Sequence, residues 1–435
     1  MDYSKLVTHY KDGSIKHRNP FSGTESWYSP DRKNRPILTQ QDTDAAELKT
    51  STPEDYCPFC ESRYSETTPE KSRLIFREDS WQCLDRLPPD DVFSGTADFR
   101  RIGNLYEIIS TPYWKEQYGY TLSDKNRDRK NEYLESDLGM EHVCDVLQYK
   151  LQNEGVPQSK IDSFLNDPEM AAADAFFGGS HELIIPRRHY KPGAQTTADL
   201  CSTGCLSAKS HSIYYRFSCF AAQDIYDNNP HVKYVCIYTN WGGTGGASLP
   251  HLHRQLLGMD KHGHILERIS KLKQKYDRIY YDLLLFAKHQ HLIICENDGA
   301  IAYADMGLPF PTISVVSKTL STPLKADSSQ LRPMSEIVHA LHSAMGESLP
   351  CNEEWFYTPE NGKIKIPWTV QIKWRVNTHA GFEGATGLYV VPYAPADLRT
   401  KMVEVLSEMD IGIYQQALQV GDNAPGRVDI LKYFS

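Results

Sequence analysis

Thr239-Asn240-Trp241-Gly242-Gly243-Thr244-Gly245-Gly246-Ala247-Ser248-Leu249-Pro250-His251-Leu252-His253-Arg254-Gln255 decides how the chain is read. It follows an apolar run, Val232 to Tyr238, that reads as a buried strand. A glycine-rich loop comes next, and glycine lets backbone N–H groups approach an anion such as phosphate. His-x-His-x-Gln then leads into Leu256 and Leu257. Side chains two apart on a strand point the same way, so His251, His253 and Gln255 are expected on one face, with Leu252 and Arg254 on the other. Two imidazoles and an amide behind such a loop suit a histidine that attacks phosphorus and an amide that holds a phosphoryl oxygen. A glycine loop followed by two surface histidines has the same bare spacing. Asn240, the loop glycines and Ser248 favour the site.

The stretch resembles the histidine-triad superfamily, and within it the galactose-1-phosphate uridylyltransferase branch. Hydrolases of the superfamily carry a third histidine where Gln255 stands, whereas its transferases and phosphorylases carry glutamine. The resemblance therefore implies nucleotidyl transfer, with His253 as nucleophile and Gln255 beside it. It implies substrate contacts from Asn240, Gly245, Gly246 and Ser248. Arg254 points away from that face and is given no catalytic role.

Composition sets bounds. The chain has 435 residues, enough for two or three domains, and an ordinary globular balance of 40% hydrophobic and 24% charged residues. A net charge of −9 without a basic stripe argues against nucleic-acid binding. The first residues lack the apolar core of a signal peptide, and no apolar run has the length of a membrane span. Ten cysteines in such a chain read as reduced thiols or metal ligands, and the expected location is the cytoplasm.

Residues 1 to 50 read as an extended, partly irregular arm. Cys57-Pro58-Phe59-Cys60 fits a thioredoxin-like redox pair or half of a zinc site. A redox pair should open a helix, yet a proline- and charge-rich loop, Glu61 to Glu70, follows, which favours zinc. The family resemblance supplies the other ligands: a histidine closing an apolar strand, here Leu183 to His189, and the first histidine of His-x-His. The implied structural zinc set is Cys57, Cys60, His189 and His251, with His181 as the alternative to His189.

Further along, Gly103 to Pro112 reads as a strand, residues 116 to 140 as a solvated insertion of mostly loop, and Met140 to Leu151 as a helix. Thr197 to Tyr226 reads as one long helix, with Cys201 and Cys205 on one of its faces for core packing. Ile265 to Lys288 reads as a linking helix. A second cycle follows: paired strands around Glu296 to Gly299, a strand ending at Lys318, a helix from Met334 to Met345, strands at Trp355 and at Trp368 to Trp374, and a helix from Pro395 to Met409. The halves form a weak internal repeat in which Thr369-x-Gln371-x-Lys373 stands where the first half has His-x-His-x-Gln.

The predicted fold is α+β, two tandem histidine-triad-like domains, each a mainly antiparallel sheet with packed helices. Its parts are an arm (1–50), a catalytic domain with the zinc site (51–264) and a second domain without His-x-His (265–435). The resemblance covers roughly residues 52 to 409 and includes His379 to Tyr389, which is similar to a Gly-Phe-Glu-x-Gly-Thr-Gly segment of divergent members. In the family that loop reaches the partner subunit's active site, which implies a homodimer and substrate contacts from Phe382, Glu383 and Thr386. Some bacterial members bind a second metal. Phe356, Gln371 and Lys373 stand at the matching places here, so none is expected. The residues that contact the hexose in galactose enzymes have no recognisable match. The implied activity moves a nucleoside monophosphate from a nucleotide sugar to a sugar 1-phosphate through a nucleotidyl-histidine. The alternatives are a phosphorylase of nucleotide sugars or dinucleoside polyphosphates, and a non-catalytic nucleotide- or zinc-binding paralogue.

Overall fold

The computed structural model describes residues 5–30, 45–48, 56–77 and 80–427. Strands β1 (Val7–His9), β2 (Ile15–Arg18) and β3 (Glu25–Tyr28) precede β4 (Glu70–Arg77), β5 (Ser80–Asp85), β6 (Phe99–Gly103), β7 (His181–Pro186), β8 (Tyr234–Trp241) and β9 (Arg254–Met259). The second half adds β10 (Ile293–Glu296), β11 (Ala300–Asp305), β12 (Thr312–Ser317), β13 (Cys351–Phe356), β14 (Thr369–Trp374), β15 (Leu388–Val390) and β16 (Gln419–Val420). Twelve of them form one sheet in the order β16-β10-β11-β12-β14-β13-β8-β9-β7-β6-β4-β5.

The first half runs β4, β5, β6, β7, the helix Ala208–Asn228, β8 and β9, and the second runs β10, β11, β12, the helix Ser328–Met345, β13 and β14. The halves do not make two sheets. β8 pairs antiparallel with β13, Tyr238 opposite Glu354 and Trp241 opposite Cys351. Without that pairing both strands would be open edges with unsatisfied N–H and C=O groups. Both long helices pack on the same side of the sheet, and one core cluster takes Tyr214, Ile237 and Leu256 together with Leu341, Val370 and Ile372.

Alternation along β8 and β9 sets the other side. Val235, Ile237 and Thr239 are buried toward the helices, as are Arg254 and Leu256. Tyr238, Asn240 and Gln255 therefore look to the opposite face. Arg254 is fully buried and pairs with Glu353 of β13 at 2.7 Å. Its guanidinium lies 4.2 Å from the Tyr214 ring centroid, 4.7 Å from Tyr215 and 5.0 Å from Trp355. Glu353 also accepts from Tyr215 Oη at 2.9 Å, Trp355 Nε1 at 2.7 Å and His342 Nε2 at 2.9 Å. Burial alone would raise its pKa, but the charge on Arg254 and the His342 hydrogen bond hold the carboxyl well below the usual range.

Several elements differ from the sequence reading. Residues 5–30 build a small sheet, β1-β2-β3-β15, rather than an irregular arm, and residues 31–44 lie outside the described set. Asn19 Nδ2 donates to the Met306 carbonyl at 3.0 Å and so ties this sheet to the second half. The expected strand Gly103 to Pro112 ends at Gly103, and Ile108 is 67% exposed, so its apolar alternation faces no partner. The Glu61 to Glu70 loop holds short 3-10 turns over Glu61–Glu66.

The supposed loop at 116–140 is mostly helix: Thr111–Tyr118, Asp124–Leu134 and the start of Asp137–Asn153. Ser110, Ser123 and Ser136 cap these helices, accepting from Tyr113 N, Asn126 N and Gly139 N. Charge density hid them, because Lys130 is buried and bonded to Asp174 Oδ1 at 2.6 Å instead of solvated. The long helix starts at Ala208, not Thr197, so Cys201 and Cys205 occupy the turn before it. Gly204 explains the turn: a Cβ there would stand 2.7 Å from the His342 carbonyl oxygen. The linking helix is two, His264–Lys275 and Ile279–His289.

Removing one side of the Arg254–Glu353 pair leaves a buried charge without its partner. Arg254→Met should cost on the order of 3–5 kcal/mol in chemical denaturation, and Arg254→Met/Glu353→Gln should recover part of that loss. A single variant as stable as the parent would contradict this role.

Candidate active site and metal cluster

Cys57 and Cys60 sit on one tight turn, closed by Cys60 N–H to the Cys57 carbonyl at 2.8 Å. His189 follows the end of β7, and His251 lies in the turn before β9. Cys57 Sγ is 3.8 Å from Cys60 Sγ, 3.7 Å from His189 Nδ1 and 3.6 Å from His251 Nδ1. Cys60 Sγ is 3.4 Å from His189 Nδ1 and 3.9 Å from His251 Nδ1. All four ligand atoms lie within 4.8 Å of one another, and all four residues are buried. A tetrahedral ion with ordinary metal–sulfur and metal–nitrogen bonds requires S···S near about 3.8 Å and S···N near about 3.6 Å. The cluster therefore fits a tetrahedral metal ion. The Cys57 hydrogen bond, joined by those of His189 and His251, lowers the pKa of the Cys60 thiol, while that bond and burial raise Cys57. His251 Nε2–H donates to the Pro186 carbonyl at 2.7 Å, which fixes the tautomer that leaves Nδ1 for the metal.

His189, not His181, joins this cluster. His181 instead sets its Nε2 3.1 Å from Gln255 Oε1.

His253 is 4% exposed, and its Nδ1 lies 2.8 Å from the His251 carbonyl oxygen. A carbonyl only accepts, so Nδ1 carries the proton and Nε2 keeps its lone pair. No hydrogen bond among the described residues takes Nε2. Burial lowers the pKa of His253, which keeps the ring neutral. The edge of Phe59, from the Cys-Pro-Phe-Cys turn, packs on the His253 ring with centroids 5.3 Å apart. β9 starts at Arg254, so His251 and His253 occupy the turn just before it rather than the strand itself.

Gln255 stands directly opposite Tyr238 on β8, and Tyr238 Oη donates to Gln255 Oε1 at 2.8 Å. Asn240 Oδ1 accepts from Asn352 Nδ2 at 2.8 Å, which leaves the Asn240 amide as a donor. Asn352 also bonds the Gly245 carbonyl at 2.6 Å, so the second half holds the glycine loop in place. Gly242 has φ of +74°, and a Cβ on it would stand 2.9 Å from Pro350, so the turn requires glycine. Gly245 N–H and Gly246 N–H bond the Gly242 and Gly243 carbonyls at 3.0 and 2.9 Å, so both expected phosphate donors are engaged inside the turn. Ser248 is exposed at the loop's end.

Phe382, Glu383 and Thr386 lie on the short exposed helix Gly381–Thr386, where Glu383 caps Ala380 N–H and Thr386 bonds the Phe382 carbonyl. No hydrogen bond among the described residues joins this helix to His253 or Gln255. Tyr238 and Asn352 carry no sequence expectation as site residues, and His181 carries one only as the alternative metal ligand. Strand register carries the signal for Tyr238 and His181, since β7 and β8 flank β9 and both residues share the Gln255 face.

The comparisons agree with this architecture. An ADP-glucose phosphorylase of Arabidopsis thaliana is 22% identical over 185 residues, 40% of this chain and 52% of that protein, so the chain matches about half the length of that curated relative. The crystal structure of an ADP-glucose phosphorylase from the same plant, with bound ADP-glucose, superposes with a TM-score of 0.56 at 17% identity, covering 89% of this chain and 98% of that one. A GalT-like protein of Arabidopsis thaliana gives a TM-score of 0.51 at 18% identity, covering 80% and 92%. At these identities the likeness is one of fold: the chain shares the architecture of the ADP-glucose phosphorylase and of the GalT-like protein. The chain belongs to the family described as Domain of unknown function (DUF4921), whose model matches residues 10–433.

Because the four candidate ligands come from three separate stretches of chain, losing one should release an ion held there and loosen the His251–His253 turn. Cys60→Ser is expected to lose bound metal and several degrees of thermal midpoint. Undiminished metal in Cys57→Ser/Cys60→Ser would contradict the ligand set.

Proposed function

We propose that the protein is a nucleotidyltransferase that takes a nucleoside monophosphate from a nucleotide sugar onto His253 and passes it to a sugar 1-phosphate. One observation carries this reading: His253 is buried and proton-bearing at Nδ1 through the His251 carbonyl, and no hydrogen bond among the described residues takes its Nε2. Nε2 attacks the α-phosphorus, and the bond from phosphorus to the departing phosphate oxygen breaks as the P–N bond forms. The amide groups of Gln255 and Asn240 receive the charge that builds on the non-bridging oxygens. In the second half-reaction a phosphate oxygen of the acceptor attacks the same phosphorus and frees His253.

The metal of this reading is zinc, held by Cys57, Cys60, His189 and His251. When bound it supplies a rigid anchor for the turn rather than chemistry on substrate. The reading treats residues 51–264 and 265–435 as tandem copies of one domain, with 1–50 as an arm. It makes the protein a homodimer in which Gly245, Gly246 and Ser248 of one subunit, and Phe382, Glu383 and Thr386 of the other, border the substrate. A second reading, phosphorolysis with inorganic phosphate as the acceptor, is favoured by the likeness to the curated ADP-glucose phosphorylase.

Donor alone, drawn from ADP- and UDP-sugars, should leave a nucleoside-monophosphate mass adduct on His253. His253→Ala should abolish both adduct and turnover, and Gln255→Ala should slow transfer on the order of a hundredfold. Turnover that survives His253→Ala, or requires both substrates bound together, contradicts the mechanism. Discharge of the adduct by glucose 1-phosphate but not inorganic phosphate supports the first reading, and the reverse supports the second. Elemental analysis should find about one zinc per chain.

A further inference from the structure

An amide can present either its oxygen or its nitrogen to a substrate, and only the NH2 group donates to a phosphoryl oxygen. At Gln255 the choice is made by two neighbours. Tyr238 Oη lies 2.8 Å from Gln255 Oε1, and His181 Nε2 lies 3.1 Å from the same oxygen. Both reach it from flanking strands of the sheet, Tyr238 from β8 and His181 from β7.

The His181 ring is set in turn by the backbone. Ile108 N–H points at His181 Nδ1 at 3.2 Å. A backbone amide only donates, so Nδ1 holds a lone pair and Nε2 carries the proton. Asn104 Nδ2 stands 3.2 Å from the same Nε2, its own Oδ1 taken by Tyr106 N–H at 3.0 Å, and so offers that proton no acceptor. The proton goes to Gln255 Oε1. Ile108 belongs to the segment that leaves the sheet after Gly103, which gives that departure a purpose.

We propose that His181 and Tyr238 are positioning residues that lock the Gln255 amide with its oxygen inward and its NH2 group toward the phosphoryl oxygens, and that Ile108 N–H sets the His181 tautomer this requires. The proposal rests on the nucleotidyl-transfer reading for what the NH2 group does. The orientation itself stands on the contacts. Neither residue touches the reacting atoms, so each acts through Gln255. Tyr238 Oη can donate or accept, whereas His181 Nε2–H only donates, so flipping the amide would set the Gln255 NH2 group against the His181 N–H. His181 is 1% exposed and its pKa falls to about 4 through burial, so the neutral ring persists.

A double-mutant cycle separates positioning from packing. The rate at which ADP-glucose or UDP-glucose loads His253 is measured in the parent, Tyr238→Phe, Gln255→Ala and the double variant. Tyr238→Phe should slow loading about tenfold, in line with one lost hydrogen bond, with little change in donor affinity. In the Gln255→Ala background the same change should have no further effect, since no amide remains to orient. Equal factors in both backgrounds would mean packing alone and overturn the proposal. A second arm needs no substrate: nitrogen-15 NMR of the histidine rings should find His181 protonated at Nε2 in the parent. Protonation at Nδ1 would overturn the proposal. If no donor loads His253, the nucleotidyl-transfer reading fails while the NMR arm still decides the orientation of Gln255.

Discussion

One buried ion pair governs where the side chains of the candidate site face. Arg254 sits between His253 and Gln255, and its guanidinium is held by Glu353 and three aromatic rings on the helix side of the sheet. An extended chain cannot send neighbouring side chains to the same side. With Arg254 drawn inward, Gln255 must face outward. A one-residue slip in register would bury the amide and expose the arginine, at the cost of an unpaired charge in the core. Glu353 comes from the second half, so the orientation of the first-half site depends on the junction of β8 with β13. The half that lacks His-x-His supplies the carboxylate that orients it, and Asn352, one residue earlier, bonds Asn240 and the glycine loop.

The Cys57-Cys60-His189-His251 cluster is a second pin on the same few residues. His251 puts its side chain into the cluster and its carbonyl on His253 Nδ1. One residue thus serves both the candidate metal cluster and the tautomer of His253. Phe59, between the two cysteines, closes the side of the His253 ring. His253, the proposed nucleophile, is bounded by the cluster before it and the Arg254 anchor after it, which leaves its ring little freedom to turn. Rigid placement of this kind lowers the reorganisation that a charge-building step would otherwise require.

Much of this was legible in the sequence. The glycine loop, His-x-His-x-Gln and Cys-x-x-Cys were read as parts of one site, and the cluster geometry brings Cys57, Cys60, His189 and His251 together. Strands around turns were legible too, as at Glu296 to Gly299, because period and turn chemistry are local. Long-range features were not. Nothing in the local pattern announces that β8 and β13 pair, or that Tyr238 and His181 meet at Gln255, since these depend on register between distant strands. Residues 116 to 140 misled because charge was read as solvation, whereas Lys130 spends its charge on Asp174 and on backbone carbonyls inside the fold. Cys201 and Cys205 misled because an i, i+4 spacing fits a helix, while Gly204 between them marks a turn pressed against a neighbouring helix.

The proposed transfer turns on one covalent event at His253, and that event would leave a stereochemical record. Each in-line displacement at phosphorus inverts configuration, so two displacements through a nucleotidyl-histidine restore it, whereas direct transfer between bound substrates inverts it once. The most direct measurement is turnover of a nucleotide sugar whose α-phosphorus is chiral by sulfur substitution, with the product's configuration read by phosphorus NMR. Overall retention is the predicted result, and overall inversion would contradict the account.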